Sequence, residues 1–143
     1  MTFLLDVNVL IALIDAAHIQ HDAAHEWFAA EGVKAWATCP ITEKAVLRIV
    51  GNPRYPKSPG APAAVVPSLT GLRALAGHHF WPDDVSLLDS RRCDPARLLS
   101  SDQVTDSYLL ALARANGGRL ASFDRRLVTS AVEGGAAALR LIQ

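Results

Sequence analysis

FLLDVNVLIAL, residues 3–13, decides the fold. Phe3-Leu4-Leu5 is short and wholly apolar, the signature of a strand buried on both faces of a parallel sheet. Asp6 interrupts the run and marks a turn. Val9 to Ile14 then continues as an apolar helix. A strand that hands over directly to a helix belongs to an α/β architecture, where the return strand lies parallel to the first.

The same alternation recurs downstream. His21 to Ala30 reads as a second helix, halted at Gly32, and Lys34 to Thr38 as a strand. Pro40 opens a helix that runs to Val50, since Pro is favoured in a first helical turn. Residues 51–62 (GNPRYPKSPGAP) form a proline-rich loop, expected to be the most mobile segment or to be ordered by a partner. Pro67 to Ala76 is a further helix, stopped by Gly77. His79 to Trp81 and Val85 to Leu88 are short strand-like pieces. Ser100 or Ser101 caps a helix that reaches Asn116 and ends at Gly117-Gly118. Arg119 to Ser122 and Ala138 to Ile142 complete the strands. The expectation is one α/β domain over residues 1–143 with a mainly parallel central sheet.

Composition narrows the function. Lys plus Arg equals Asp plus Glu at 14 each, so no global basic field draws the chain to nucleic acid. Cys39 and Cys93 match no zinc spacing and read as reduced thiols. The stretch from Phe3 to Ile14 has no basic region before it and is too short to cross a bilayer, so the expected protein is soluble and cytoplasmic, with no membrane partner.

Four acids stand where strands give way to helices: Asp6, Glu43, Asp106 and Asp124. In an open parallel sheet the ligand crevice lies beyond the carboxyl ends of the strands, so topology can gather them on one rim. Each like-charge pair about 4 Å apart costs roughly 4 kcal/mol at an effective dielectric of about 20. A hard divalent cation held by oxygens, Mg²⁺ or Mn²⁺, neutralises such a cluster most simply. The reaction class that follows is metal-assisted attack of water on a phosphodiester. Asn8 is placed to orient a carboxylate, and Thr105 and Ser122 flank acids as further orienting groups. Taken singly, Asp6 and Asp124 read as helix caps and Glu43 as a first-turn dipole partner; Asp102 reads as a solvated charge. Arg125 and Arg126 are candidates for substrate phosphate, with Arg48 and Arg54 weaker ones.

Three segments in this order, FLLDVNVLIAL, TDSYLLALA (105–113) and GGRLASFDRRL (117–127), with Glu43 between the first two, resemble the PIN-domain ribonucleases and more closely the VapC toxins of type II toxin–antitoxin modules. The resemblance covers essentially the whole chain. It implies a three-layer α/β/α sandwich, usually a homodimer, and a Mg²⁺-dependent endoribonuclease. Asp6 and Asp106 would be the principal metal ligands, with Glu43 and Asp124 completing the acidic site. The implied partners are RNA and a cognate VapB-like antitoxin that occludes the site. Family members commonly carry Thr where this chain has Ser122.

Other readings stay open from the residues alone. A non-catalytic binding module could use the acidic pocket for a basic peptide. A DNA nuclease is not separable from an RNA nuclease, whereas a phosphatase is disfavoured because Asn8 replaces the second Asp of a D-x-D motif. His21 and His25 are spaced i, i+4 but lack a third ligand and read as a solvated helix face. His78-His79 has no assigned chemistry, and Trp27, Trp36 and Trp81 read as packing residues.

Overall fold

Alternation along the strands decides which helices lie on which face. The computed structural model describes residues 1–143. Five strands, β1 (Phe3–Leu5), β2 (Trp36–Thr38), β3 (His78–Phe80), β4 (Arg119–Ser122) and β5 (Leu139–Leu141), form one sheet in the order β3-β2-β1-β4-β5. All four pairings are parallel. Side chains of successive strand residues point to opposite faces. Phe3, Leu5, Trp36 and Ala121 therefore belong to one core, and Leu4, Ala37 and Leu120 to the other.

The first core is covered by α1 (Val7–Ile14), α2 (His21–Trp27), α3 (Pro40–Val50) and α4 (Pro62–Arg73). The second is covered by α5 (Val104–Ala115) and the short α6 (Gly135–Ala138). The result is the expected α/β/α sandwich. Val9 to Leu13 of α1 are all buried, as befits a helix apolar around its circumference. Trp36 is fully buried, and Trp27 and Trp81 nearly so, which bears out their reading as packing residues. Cys39 and Cys93 are free and buried. No helix is long and apolar enough to cross a membrane.

The end of α5 has a clear local cause. Gly117 adopts φ 70°, and the N–H groups of Gly117 and Gly118 donate back to Arg114 and Ala113 at 3.0 and 2.9 Å. This pair of bonds closes a Schellman motif and turns the chain into β4.

Several elements depart from expectation. α4 begins at Pro62 rather than Pro67 and carries Pro67 inside it. That proline is exposed, so water can reach the carbonyl of Ala63 that it leaves without a donor. α2 widens into a π-helical turn over Phe28–Gly32, where the Val33 N–H reaches back to the Phe28 carbonyl. Residues 85–88 form no strand. The proline-rich segment is tied down by its own side chains: the Tyr55 hydroxyl donates to Asp15, and Ser58 Oγ donates to the Val50 carbonyl at 2.7 Å. His25 is exposed and His21 half-buried, in keeping with a solvated helix face, but both also have partners. Their rings lie 2.7 and 2.8 Å from the carbonyls of Ala12 and Leu13, satisfying the last turn of α1, where carbonyls lack intrahelical donors.

Candidate active site

The sheet order places the site. From central β1 the chain moves outward to β2 and β3, then crosses to the far side of β1 to build β4 and β5. The reversal opens a crevice beyond the carboxyl ends of β1 and β4. Asp6 leaves β1 and Asp124 follows β4. Asp106 lies in the first turn of α5, the helix that leads into β4.

Asp6 is buried, at 6% exposure, and its carboxylate is held from several sides. Oδ1 accepts the Val7 N–H at 2.8 Å, and Oδ2 accepts the Ser122 hydroxyl at 2.7 Å. Asn8 links the strands: its Nδ2 donates to Ser122 Oγ at 3.0 Å and more weakly to Asp6 Oδ2 at 3.5 Å. Its Oδ1 accepts the Phe123 N–H at 3.1 Å. Ser122 Oγ also accepts the Asp124 N–H at 3.1 Å. One buried hydroxyl thus ties the backbone of the fourth acid to the carboxylate of the first.

Electrostatics show which acids share a field. Burial pushes the Asp6 carboxyl above its ordinary range, the bonds from Ser122 and Val7 partly offset this, and Asp124 raises it further. Asp106 is pushed up to about 6 by burial and by the negative charges of Asp6 and Asp124. None of these three carboxylates belongs to an ion pair; the five ion pairs of the structure lie elsewhere.

Glu43 stands apart. It occupies the first turn of α3, one strand away from the crevice. Its Oε2 accepts the buried Thr38 hydroxyl at 2.6 Å, and its Oε1 lies 3.4 Å from Arg73 Nη1. Thr38 Oγ1 is also 2.7 Å from Nε2 of His78, whose ring packs on Trp36. Burial and the Arg73 charge lower the pKa of His78. Glu43 thus has a cation of its own in Arg73, whereas Asp106 feels the charges of Asp6 and Asp124. The sequence alone gives Thr38 and Arg73 no role, and His78 no chemistry. Thr38 carried a signal, as a polar residue closing an apolar strand, but nothing in the sequence ties Arg73 to Glu43.

No three His, Cys, Asp or Glu side chains converge closely enough to hold a metal ion between them. The donor set still suits Mg²⁺, which takes one or two carboxylates and draws its other ligands from water and substrate phosphate. Asp6 and Asp106, unpaired and close enough for the charge of Asp6 to raise the Asp106 carboxyl, are of the kind such an ion takes, with Asp124 beside them. Thr105 is exposed and makes no side-chain hydrogen bond. Arg125 and Arg126 are exposed beside Asp124 and form no ion pair.

Comparisons with known proteins agree on one family. The PIN domain profile matches residues 3–132. Ribonuclease VapC44 of Mycobacterium tuberculosis is 44% identical over 134 residues, covering 94% of each chain. Ribonuclease VapC39 of the same species is 45% identical over 134 residues, covering 94% of this chain and 96% of the relative. Among solved structures, M. tuberculosis VapC20, described as a sarcin-ricin loop cleaving toxin, superimposes with a TM-score of 0.60 at 15% identity, covering 95% of this chain and 94% of that one. The VapBC2 complex of Rickettsia felis, bound to a DNA fragment of its promoter, gives 0.58 at 11% identity, covering 88% and 90%.

Proposed function

The chain belongs to the PIN-domain family and, within it, to the VapC ribonucleases, and from that premise we propose that it is a Mg²⁺-dependent endoribonuclease, the toxin of a type II toxin–antitoxin pair. One observation carries the reading. Asp6 is buried at the switch point of the sheet, oriented by Ser122 and Asn8, and faces Asp106 and Asp124 with no cation among them.

The work of the residues follows from their positions. Asp6 and Asp106 would hold Mg²⁺, and Asp124 would add charge or accept from a water at the same rim. A bound Mg²⁺ supplies Lewis acidity to the scissile phosphate and acidity to a water. Ser122 and Asn8 keep the Asp6 carboxylate in one orientation, so little reorganisation is left for the reaction itself. Thr38 and Arg73 hold the Glu43 carboxylate at the start of α3, just beyond the neighbouring strand. Arg125 and Arg126 would steady the substrate backbone next to the acids. Water as nucleophile leaves a 5′-phosphate and a 3′-hydroxyl. The uncompensated acids also suit an antitoxin that inserts a basic side chain among them, which would occlude the site. A cytoplasmic homodimer completes the proposal.

The test is cleavage of a mixed RNA pool by the purified chain with Mg²⁺, by Asp6→Asn, and by the wild type in EDTA. The expected result is loss of cleavage in the last two, with the Asp6→Asn fold verified by circular dichroism. Full activity in either defeats the assignment.

A further inference from the structure

Beside the acidic crevice lies a groove of about 460 Å³ that the acids do not use, lined by Asn8, Ile11, Asp15, His18, Tyr55 and Lys57 among others. Its volume lies within the range of about 300–1,000 Å³ that accepts a small organic group. We propose that this groove is a nucleobase subsite for single-stranded RNA, seating the base of a nucleotide next to the scissile phosphate. The proposal rests on the RNA-hydrolase reading above and gives that site a means of choosing where to cut.

Continuity comes first. Asn8 lines the groove and also bonds Asp6 and Ser122, so a base seated here places its own phosphate at the acids. The walls match a base, which is apolar on its faces and polar at its edge. Ile11, Pro56 and the Tyr55 ring supply apolar surface, and an aromatic ring is a surface on which a base of any sequence stacks. Edge-reading groups stand beside it. His18 Nδ1 accepts the Gln20 N–H at 3.0 Å, which leaves Nε2 as the donor of that ring. Lys57 adds a second donor and the Asp15 carboxylate an acceptor.

These walls are set in advance. The Tyr55 hydroxyl donates to Asp15, and Asp15 Oδ1 accepts the Ala17 N–H at 2.9 Å. Lys57 is the only non-glycine residue with positive φ, at 57°. Glycine would take that conformation without strain, and such strain collects at ligand clamps. The lysine forms no ion pair, so its ammonium is available to a ligand. A peptide partner would need a strand edge or a long apolar trough; this groove is framed by eight residues and sets Asn8, Asp15, His18 and Lys57 among its apolar walls.

The test begins with metal-free protein in EDTA, titrated separately with AMP, GMP, CMP and UMP and followed by amide chemical shifts. At least one nucleotide should shift the amides of residues 15–18, 55 and 57, and binding should weaken about tenfold in Lys57→Gly, which relieves the backbone strain, and in His18→Ala. With Mg²⁺ and a randomised RNA, the Lys57→Gly/His18→Ala double variant should lose its base preference at one position beside the cut. KM should rise about tenfold, with kcat within about twofold. Nucleotides that shift no groove amide, or an unchanged preference in the double variant, overturn the proposal. A response to an Arg-rich peptide but to no nucleotide hands the groove to a protein partner and overturns it equally. Wild-type protein that cuts no RNA sinks the endoribonuclease reading instead, while the nucleotide titration decides the groove independently.

Discussion

Asp106→Asn should stabilise the metal-free protein while abolishing cleavage. In the folded chain the Asp106 carboxyl rises from an ordinary 3.8 to about 6, through burial and the charges of Asp6 and Asp124. Fully buried, such a rise would correspond to about 3 kcal/mol of destabilisation at neutral pH. Asp106 is only half-buried, and screening by solvent reduces this to about 1 kcal/mol. For a chain of this size that is about 3–5 °C in Tm. The pH dependence has a definite sign. Because the folded pKa exceeds the unfolded one, the folded state takes up a proton first as pH falls through about 6, and the penalty fades until both states are protonated below about 4. The Tm advantage of the variant in EDTA should therefore be full at pH 7.5 and vanish by pH 4. Mg²⁺ should raise the wild-type Tm more than that of the variant, because a ligand stabilises the state it binds. Scanning calorimetry of both proteins across this pH range, with and without Mg²⁺, is the assay. A variant no more stable than wild type at pH 7.5 in EDTA would refute the claim that these carboxylates crowd one another.

Ser122→Ala removes the hydroxyl that bonds Asp6 at 2.7 Å and accepts from Asn8 and Asp124; urea unfolding should show a loss of about 2 kcal/mol, and RNA cleavage should fall at least tenfold while Ser122→Thr retains it. Thr38→Val leaves Glu43 without its 2.6 Å donor; a double-mutant cycle with Glu43→Ala should give a coupling of about 1 kcal/mol, and additivity would show that Thr38 does not hold Glu43. His25→Ala strips the donor from the Leu13 carbonyl and should cost about 1 kcal/mol in the same unfolding assay.

Local pattern made the sheet and most of the acids readable. Phe3–Leu5 and Arg119–Ser122 showed their strands because both faces are buried, and Asp6 and Asp124 showed their place because each follows one. The fate of Glu43 was not readable. Its pairing with Arg73 spans 30 residues and two helices, and no local signal encodes that meeting. Sheet order was equally hidden, and it is the order that sets Glu43 one strand away from the other acids. The partners of His21 and His25 were hidden for a related reason: a spacing of i, i+4 describes one helix face, whereas the groups they meet are carbonyls of another helix. The early start of α4 escaped because Pro67 reads as a first-turn residue, and only its exposure shows why the helix runs through it.

Asp6 begins a helix and serves the crevice with the same carboxylate, so damage there strikes the scaffold along with the chemistry. An inert Asp6→Ala protein would leave open whether it lost its function or its shape. Asp106 has no such double duty, being half-exposed on the surface of α5. It is the position at which the toxin can be silenced while intact, and hence the one from which to trap it with an uncut RNA for crystallography or to produce it safely in a living host.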